Sequence, residues 1–316
     1  MTGSLNTLTT DLIDYAGLFP PAKLDMAAAV EAYARSKMSE HEPMLGRFIC
    51  PVARLAEFEK AAAALLPGTH ARSGYRTPMD GLEPWRLSVL HEGDLQRNLD
   101  AIHAFNQRHE KPDDGQAVID MLEMKVSMVA QIDETLDELP DDLFPFFEFP
   151  VTVGEAAGDF RGFVAALAGS KAAAKIRTGG IVGNAFPTIE EVAAFLHACA
   201  AADVPFKATA GLHHPIRSVQ RLTYEPNSAT CKMHGFVNLF LAAAVAKIHE
   251  PDQAVTTAIL AGEDPSEFKF SEDVLGWNEH LITTAEAALV RESFALSFGS
   301  CSFDEPVADL KALGWL

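Results

Sequence analysis

The 316-residue chain is poor in cysteine: Cys50, Cys199, Cys231 and Cys301 are scattered, with no C-x-x-C pair. That spacing offers neither a zinc knuckle nor a disulfide framework, and Cys50 and Cys199 read as small core residues. Basic residues are short too, 25 Lys and Arg against 44 Asp and Glu, for a formal net charge of −19. A phosphate backbone or an anionic bilayer surface rewards clustered cations, so no nucleic-acid or membrane partner is expected. Long hydrophobic runs are missing. The longest, from Gly235 to Ala246, is interrupted by Asn238 and falls short of the roughly 20 residues that a membrane-spanning helix requires. The first cation is Lys23, so the basic n-region of a secretory signal is missing and a cytoplasmic location is expected. No G-x-G-x-x-G turn follows the first strand, where the chain reads "YAGLFPPAK"; this argues against an open doubly wound dinucleotide fold.

What the chain has is apolar residues, 48% of the total, at a mean hydropathy of +0.06. That fraction supports a large buried core and excludes disorder. Short Val, Ile, Phe and Leu runs alternate with segments of helical period, as in a parallel sheet with crossover helices. Strands are predicted at 12–18, 44–50, 85–90, 118–125, 144–150, 173–178, 205–210 and 294–300. Helices are predicted at 26–38, 55–66, 95–108, 128–138, 156–168, 189–201, 235–249 and 284–293. Two helices open with capping boxes, Thr188 with Glu191 and Thr283 with Glu286. Eight such units predict an α/β fold, a (β/α)8 TIM barrel forming a single domain over 1–316, with an extended connection between its last two strands. That connection, an insertion at about 215–282, holds a second helix near 252–262 and a stretch at 268–282 that reads as a hairpin.

Barrel strands are covered outside and packed inside, so a charged residue within one needs a reason. The sixth strand carries Lys175 and Arg177, two apart and on one face; the seventh places Lys207, Thr209 and Gly211 together. The outward face would put these cations beneath apolar helix stripes, whereas the inward face opens toward the mouth where the strands end. Lys175 and Lys207 are 32 residues apart, about one βα unit, which sets them at similar heights on adjacent strands. Two ammonium groups beside Arg177 would disfavour each other's charge, so one lysine is expected to titrate low and act as a Schiff-base nucleophile.

The stretch "KIRTGGIVGNAFPTIEEVAAFLHACAAADVPFKATAG" resembles the deoxyribose-phosphate aldolase family. Lys175-x-x-Thr178-Gly179 matches its K-x-x-T-G motif, Phe206-Lys207-x-x-Ala210-Gly211 its F-K-x-x-G/A-G motif, and Phe298-Gly299-Ser300-Cys301-Ser302 its F-G-A-S-S turn. The resemblance implies that Lys175 forms the imine, that Lys207 is its electrostatic partner, and that the Gly299–Ser300 turn holds a substrate phosphate. It covers the contiguous residues 175–211 plus the last strand; the first 170 agree only in architecture. The departures are informative. The strand-4 carboxylate is either Asp120 by position or Glu123 by parity with the apolar residues. The strand-5 lysine has no counterpart in Pro145, Phe146 and Phe147. His213-His214-Pro215 replaces a glycine-rich turn, and Asp304 and Glu305 follow the phosphate-binding turn.

These readings name Lys175, Lys207, Glu148 and Glu123 as catalytic candidates, the two glutamates either moving protons or serving as buried counterions. Arg177, Thr178, Gly179, Gly211, His213, His214, Gly299 and Ser300 are the candidate substrate contacts. Arg217, Arg221, Tyr224, Lys232 and His234 mark the 215–235 loop as a lid that could hold an anion. Arg47 either lines the mouth or is salt-bridged outward. The segment Asp14–Pro21 looks like a shaped rim with no assigned chemistry. The leading function is a Schiff-base carbon–carbon lyase of the class I aldolase type. Its substrate would be a small aldehyde, sugar or keto acid, phosphorylated or not. It needs no cofactor or metal, and a homodimer is compatible with it. A metal-assisted lyase or isomerase using Glu123, Glu148, His213 and Asp304, and a barrel that only binds a metabolite, are the alternatives.

Overall fold

The computed structural model describes residues 2–68, 83–111, 115–151 and 160–316. Eight parallel strands close into a barrel: β1 (Ile13–Tyr15), β2 (Leu45–Pro51), β3 (Trp85–Leu90), β4 (Ala117–Lys125), β5 (Phe144–Glu148), β6 (Ala173–Arg177), β7 (Phe206–Thr209) and, after the long connection, β13 (Ala295–Ser300). The barrel runs β1-β13-β7-β6-β5-β4-β3-β2 and returns to β1, so each strand pairs with its neighbours in sequence, as a TIM barrel requires. Around it lie α2 (Met26–Ser36), α3 (Leu55–Ala62), α4 (Leu95–His109), α5 (Ala130–Leu136), α6 (Arg161–Leu167) and α7 (Ile189–Ala202). A helix α1 (Gly3–Thr9) precedes β1. The predicted helix over 156–168 lies partly outside the described residues.

Local chemistry sets the ends of these elements. Asp25 and Asp94 accept from the backbone N–H of Ala28 and Arg97 at the starts of α2 and α4, each at 2.8 Å. The Thr188–Glu191 capping box forms in full. Strand β1 is shorter than its hydrophobic pattern suggests. Beyond Tyr15, Ala16 N–H bonds Ser300 O and Phe19 N–H turns back to Ala16 O, so the Ala16–Pro21 segment leaves the sheet and becomes rim.

The connection from β7 to β13 has two parts. An antiparallel hairpin, β8 (Ser218–Arg221) and β9 (Thr230–Met233), stands over the mouth. Then come α8 (Phe236–His249), α9 (Gln253–Ala261), an antiparallel sheet of β10 (Phe268–Phe270), β11 (Val274–Trp277) and β12 (His280–Thr283), and α10 (Thr284–Ser293). The 268–282 stretch is thus three strands rather than a two-stranded hairpin, because the chain reverses twice, the second time through Asn278 at φ +51°. This part explains the most apolar segment of the sequence. Helix α8 is buried continuously from Phe236 to Ala246, packed against α7, α9, α10 and strands β11 to β13. Asn238, the polar interruption, spends its whole amide on backbone: it donates to Ile259 O and Gly262 O and accepts from Arg217 N–H. No described helix is long and apolar enough to cross a membrane. Helix α11 (Asp304–Ala312) closes the chain, its first turn facing the mouth.

Candidate active site

Parity along the strands sends one set of side chains into the barrel, and an unusual share of that set is polar. Two salt bridges lie below the mouth: Arg47 is bidentate to Asp120 across β3, at 2.7 and 2.6 Å, and Arg86 pairs with the half-exposed Asp11, which precedes β1. Arg47 therefore takes neither of its expected places. It is half-buried, salt-bridged inward and below the mouth.

The next level holds the two lysines. Lys175 and Lys207 are direct register partners on β6 and β7, which confirms their predicted height. They do not face each other bare. Glu123 lies between them, with Oε2 2.8 Å from Lys175 Nζ and Oε1 2.5 Å from Lys207 Nζ. Glu148 Oε2 is 2.7 Å from Lys175, and Asp14 Oδ2 is 2.6 Å from Lys207. The result is an alternating row: Glu148, Lys175, Glu123, Lys207, Asp14. Ser88 Oγ donates to Glu123 at 2.6 Å, Ser297 Oγ to Asp14 at 2.7 Å, and the Arg47 N–H to the other Asp14 oxygen at 2.7 Å. Glu123, the carboxylate that parity favours, is thus the one on β4 that meets the lysines, and Asp120 lies below it, bound to Arg47.

This arrangement overturns the expected direction of titration. Burial alone would pull the Lys175 ammonium down, and it is the largest single influence. Glu123 and Glu148 together outweigh it and hold Lys175 above the usual lysine range. Burial likewise pushes Glu123 up, but the two ammonium groups in contact with it win and hold it well below the usual carboxylate range. The expectation of a low-titrating lysine counted the cations and missed the carboxylates between them.

Above this row opens a cavity of about 730 Å³ at the C-terminal ends of the strands. Lys175, Glu123 and Glu148 form part of its wall. Lys207 and Asp14 lie beneath, both fully buried. Of the other sequence candidates, Arg177, Gly211, His213, His214 and Gly299 line the cavity. Thr178, Gly179 and Ser300 do not. The Thr178 hydroxyl donates to Ala210 O at 2.6 Å, tying β6 to the turn after β7. Gly179 lies against Gly211, where a Cβ would come 2.8 Å from the Gly211 Cα; this close approach follows two left-handed residues, Ala210 at φ +62° and Gly211 at φ +75°. Ser300 Oγ is bound to Ser302 O at 2.7 Å. These three shape the mouth and leave contact to their neighbours.

The histidines are held from behind by α11. His213 Nδ1 is 3.3 Å from Glu305 Oε2, and His214 Nδ1 is 2.5 Å from Asp309 Oδ2. The hairpin closes over the same side: Tyr224 OH donates to Glu305 Oε2 at 2.9 Å, while Gln220, Arg221, Leu222 and Met233 complete the cavity wall. Burial pushes the Glu305 carboxyl up, but His213 and Tyr224 hold it below its usual range. Two other residues marked in the 215–235 loop turn away: Lys232 pairs with Glu263, and His234 Nε2 bonds Pro187 O. Among the described residues, no group of three or more His, Cys, Asp or Glu is placed to hold a metal ion. The proposed oxygen donors Glu123 and Glu148 already have ammonium partners.

Sequence reasoning passed over Asp14, Ser88 and Ser297. Asp14 carried the same signal as the lysines, a charge between apolar residues of a barrel strand. Ser88 and Ser297 carried none, since a lone serine in a strand is ordinary. Searches against family models, curated proteins and solved structures find no match for this chain.

Proposed function

We propose that the protein is a Schiff-base carbon–carbon lyase with Lys175 as its nucleophile. The observation that carries this reading is the division between the two lysines: Lys175 Nζ belongs to the cavity wall and shares its proton environment with Glu148, whereas Lys207 is sealed below. The resemblance of the K-x-x-T-G and F-K-x-x-G/A-G segments to deoxyribose-phosphate aldolases supports the same assignment.

Chemistry follows from the balance of forces on Lys175. The free protein holds it as an ammonium, which cannot attack. Burial opposes that state, and two carboxylates maintain it. Passing the proton to Glu148, 2.7 Å away, removes one of them; burial then favours the neutral amine. The amine adds to the substrate carbonyl, and the carbinolamine loses water, with Glu148 supplying the proton for the departing hydroxyl. The resulting iminium restores a cation beside Glu123, which Lys207 and Ser88 hold in place as a permanent counterion. As an electron sink, that iminium accepts the bonding pair when the aldol bond breaks, while Glu148, a carboxylate again once water has left, takes the proton of the substrate hydroxyl that becomes the product carbonyl. Glu148 or His213, both in the cavity wall, then returns a proton to the enamine carbon.

Borohydride reduction in the presence of small aldehydes or 2-oxo acids, followed by peptide mass spectrometry, should find a single adduct on Lys175. An adduct on another lysine, or none with any carbonyl compound, would sink the assignment.

A further inference from the structure

Charges around the cavity are unevenly distributed. Near α11 and the β13 turn, the wall carries Glu305, which Tyr224 and His213 contact, and Ser300 has already spent its hydroxyl. Nothing there offers an anion a free permanent cation. At the end of β6 and at the end of β8 in the hairpin stand Arg177 and Arg221. Both line the cavity, both are exposed, and neither has an ion-pair or side-chain hydrogen-bond partner among the described residues. In a chain of net charge −19, two arginines that line one cavity with no partner among the described residues suit an anionic ligand group. Their planar donor forks match the two oxygens of a carboxylate.

Position along the strand says how far that group lies from the reacting carbon. Lys175 and Arg177 share the inward face of β6 with one residue between them, so their Cα atoms are about 6.5 Å apart. A carboxylate bonded directly to the imine carbon begins about 2.5 Å from the imine nitrogen, and a charge-assisted hydrogen bond adds about 2.8 Å. Those lengths fit side chains projecting in parallel from neighbouring inward positions. A phosphate at the far end of a sugar-length chain would overshoot Arg177.

We propose that Arg177 and Arg221 form a carboxylate site and that the carbonyl substrate is a short 2-oxo acid. The substrate class rests on Lys175 as the imine-forming residue; the anion site stands on the two arginines alone. Calorimetric titration with pyruvate, without borohydride, reads the anion site, and borohydride trapping at Lys175 reads the imine. Pyruvamide serves as the neutral isostere and glyceraldehyde 3-phosphate as the phosphorylated comparison. Pyruvate should bind and trap, and Arg177→Met and Arg221→Met, both at exposed positions, should each raise its half-saturating concentration at least tenfold. Pyruvamide trapping should change less than twofold in either variant. Pyruvate binding that weakens in the arginine variants, with no carbonyl compound trapped by the wild type, keeps the anion site and overturns Lys175. Equal trapping of pyruvate and pyruvamide, or arginine variants that bind pyruvate as the wild type does, overturns the carboxylate site and leaves Lys175 standing. Tighter binding of the phosphorylated aldehyde than of pyruvate overturns the 2-oxo acid class.

Discussion

Lys175 and Lys207 are the same residue type, on adjacent strands, in direct register and bridged by one carboxylate, yet they occupy different kinds of place. Lys207 has no exposure. It is held between Asp14 and Glu123, with its Nζ 5.3 Å from the centroid of the Phe146 ring, and its partners are fixed in turn by Ser297 and Ser88. Lys175 differs in one partner: Glu148 stands in the cavity wall, where a substrate can reach the ion pair and alter it. Lys207 maintains charge in the barrel floor, and Lys175 can change state. A buried ion pair is weak evidence for stability in general. Here the fixed half of the network holds in place the half that meets the cavity.

The largest expected effect separates the two by stability. Lys207→Met leaves Asp14 and Glu123 buried with the ammonium between them gone, so it should cost about 3–5 kcal/mol. Lys175→Met leaves Glu123 still bound by Lys207 and Ser88, and Glu148 at the edge of a wet cavity; about half that cost is expected, with complete loss of the trapped adduct. Urea denaturation of the two variants checks the order. Equal losses would mean that the floor and the wall are energetically one unit.

Dependence on pH sharpens the same contrast. Glu123 is held below its ordinary value near 4.5, so the stability it contributes is present above that value and is lost as pH falls through the lower folded value. Lys175 is held above its ordinary value of 10.5, so its contribution is complete below 10.5 and is lost as pH rises beyond it. The urea midpoint should therefore be flat from about pH 5.5 to 9.5 with respect to this network and decline on either side. Lys175→Met should flatten the alkaline limb and shrink the acid one, because Lys175 is one of the two ammonium groups that hold Glu123 low. If Lys175→Met leaves the alkaline limb intact, the raised titration of Lys175 is not its source.

The same division decides what the sequence could disclose. All eight barrel strands were legible, because apolar runs between turn residues mark a strand wherever it lies in a parallel sheet. Lys175, Lys207 and Glu123 were legible because charge inside such a strand is costly. Their pairing was not, since register across strands converts a like-charge cluster into an alternating row, and the sequence shows only which residues are present. Asp14 was passed over because it borders a rim segment of unclear shape, and Thr178 and Ser300 were read as contacts because a hydroxyl near a mouth looks the same whether it faces ligand or backbone. Helix α11 was missed, and with it the anchors of both histidines. Its opening Asp304-Glu305-Pro306 reads as polar turn, while its apolar Val307 and Leu310 are too few to show a period.

The smallest effect should come from the contact that fastens the hairpin to α11. Tyr224 ties the β8–β9 hairpin to α11 through Glu305, but both partners are partly exposed, and water can replace the lost hydrogen bond. Tyr224→Phe removes only the hydroxyl, so the thermal midpoint should move by less than about 4 °C, within the range of a loss below 1 kcal/mol. Its consequence should instead appear in ligand residence. With the hairpin no longer fastened over His213 and Glu305, the half-saturating concentration for trapping at Lys175 should rise about threefold, a change of under 1 kcal/mol, while the maximal adduct yield stays the same. A lower maximal yield at unchanged half-saturation would place Tyr224 among the groups that move protons in the proposed reaction and dissolve the division between Lys175 in the wall and a rim that only binds.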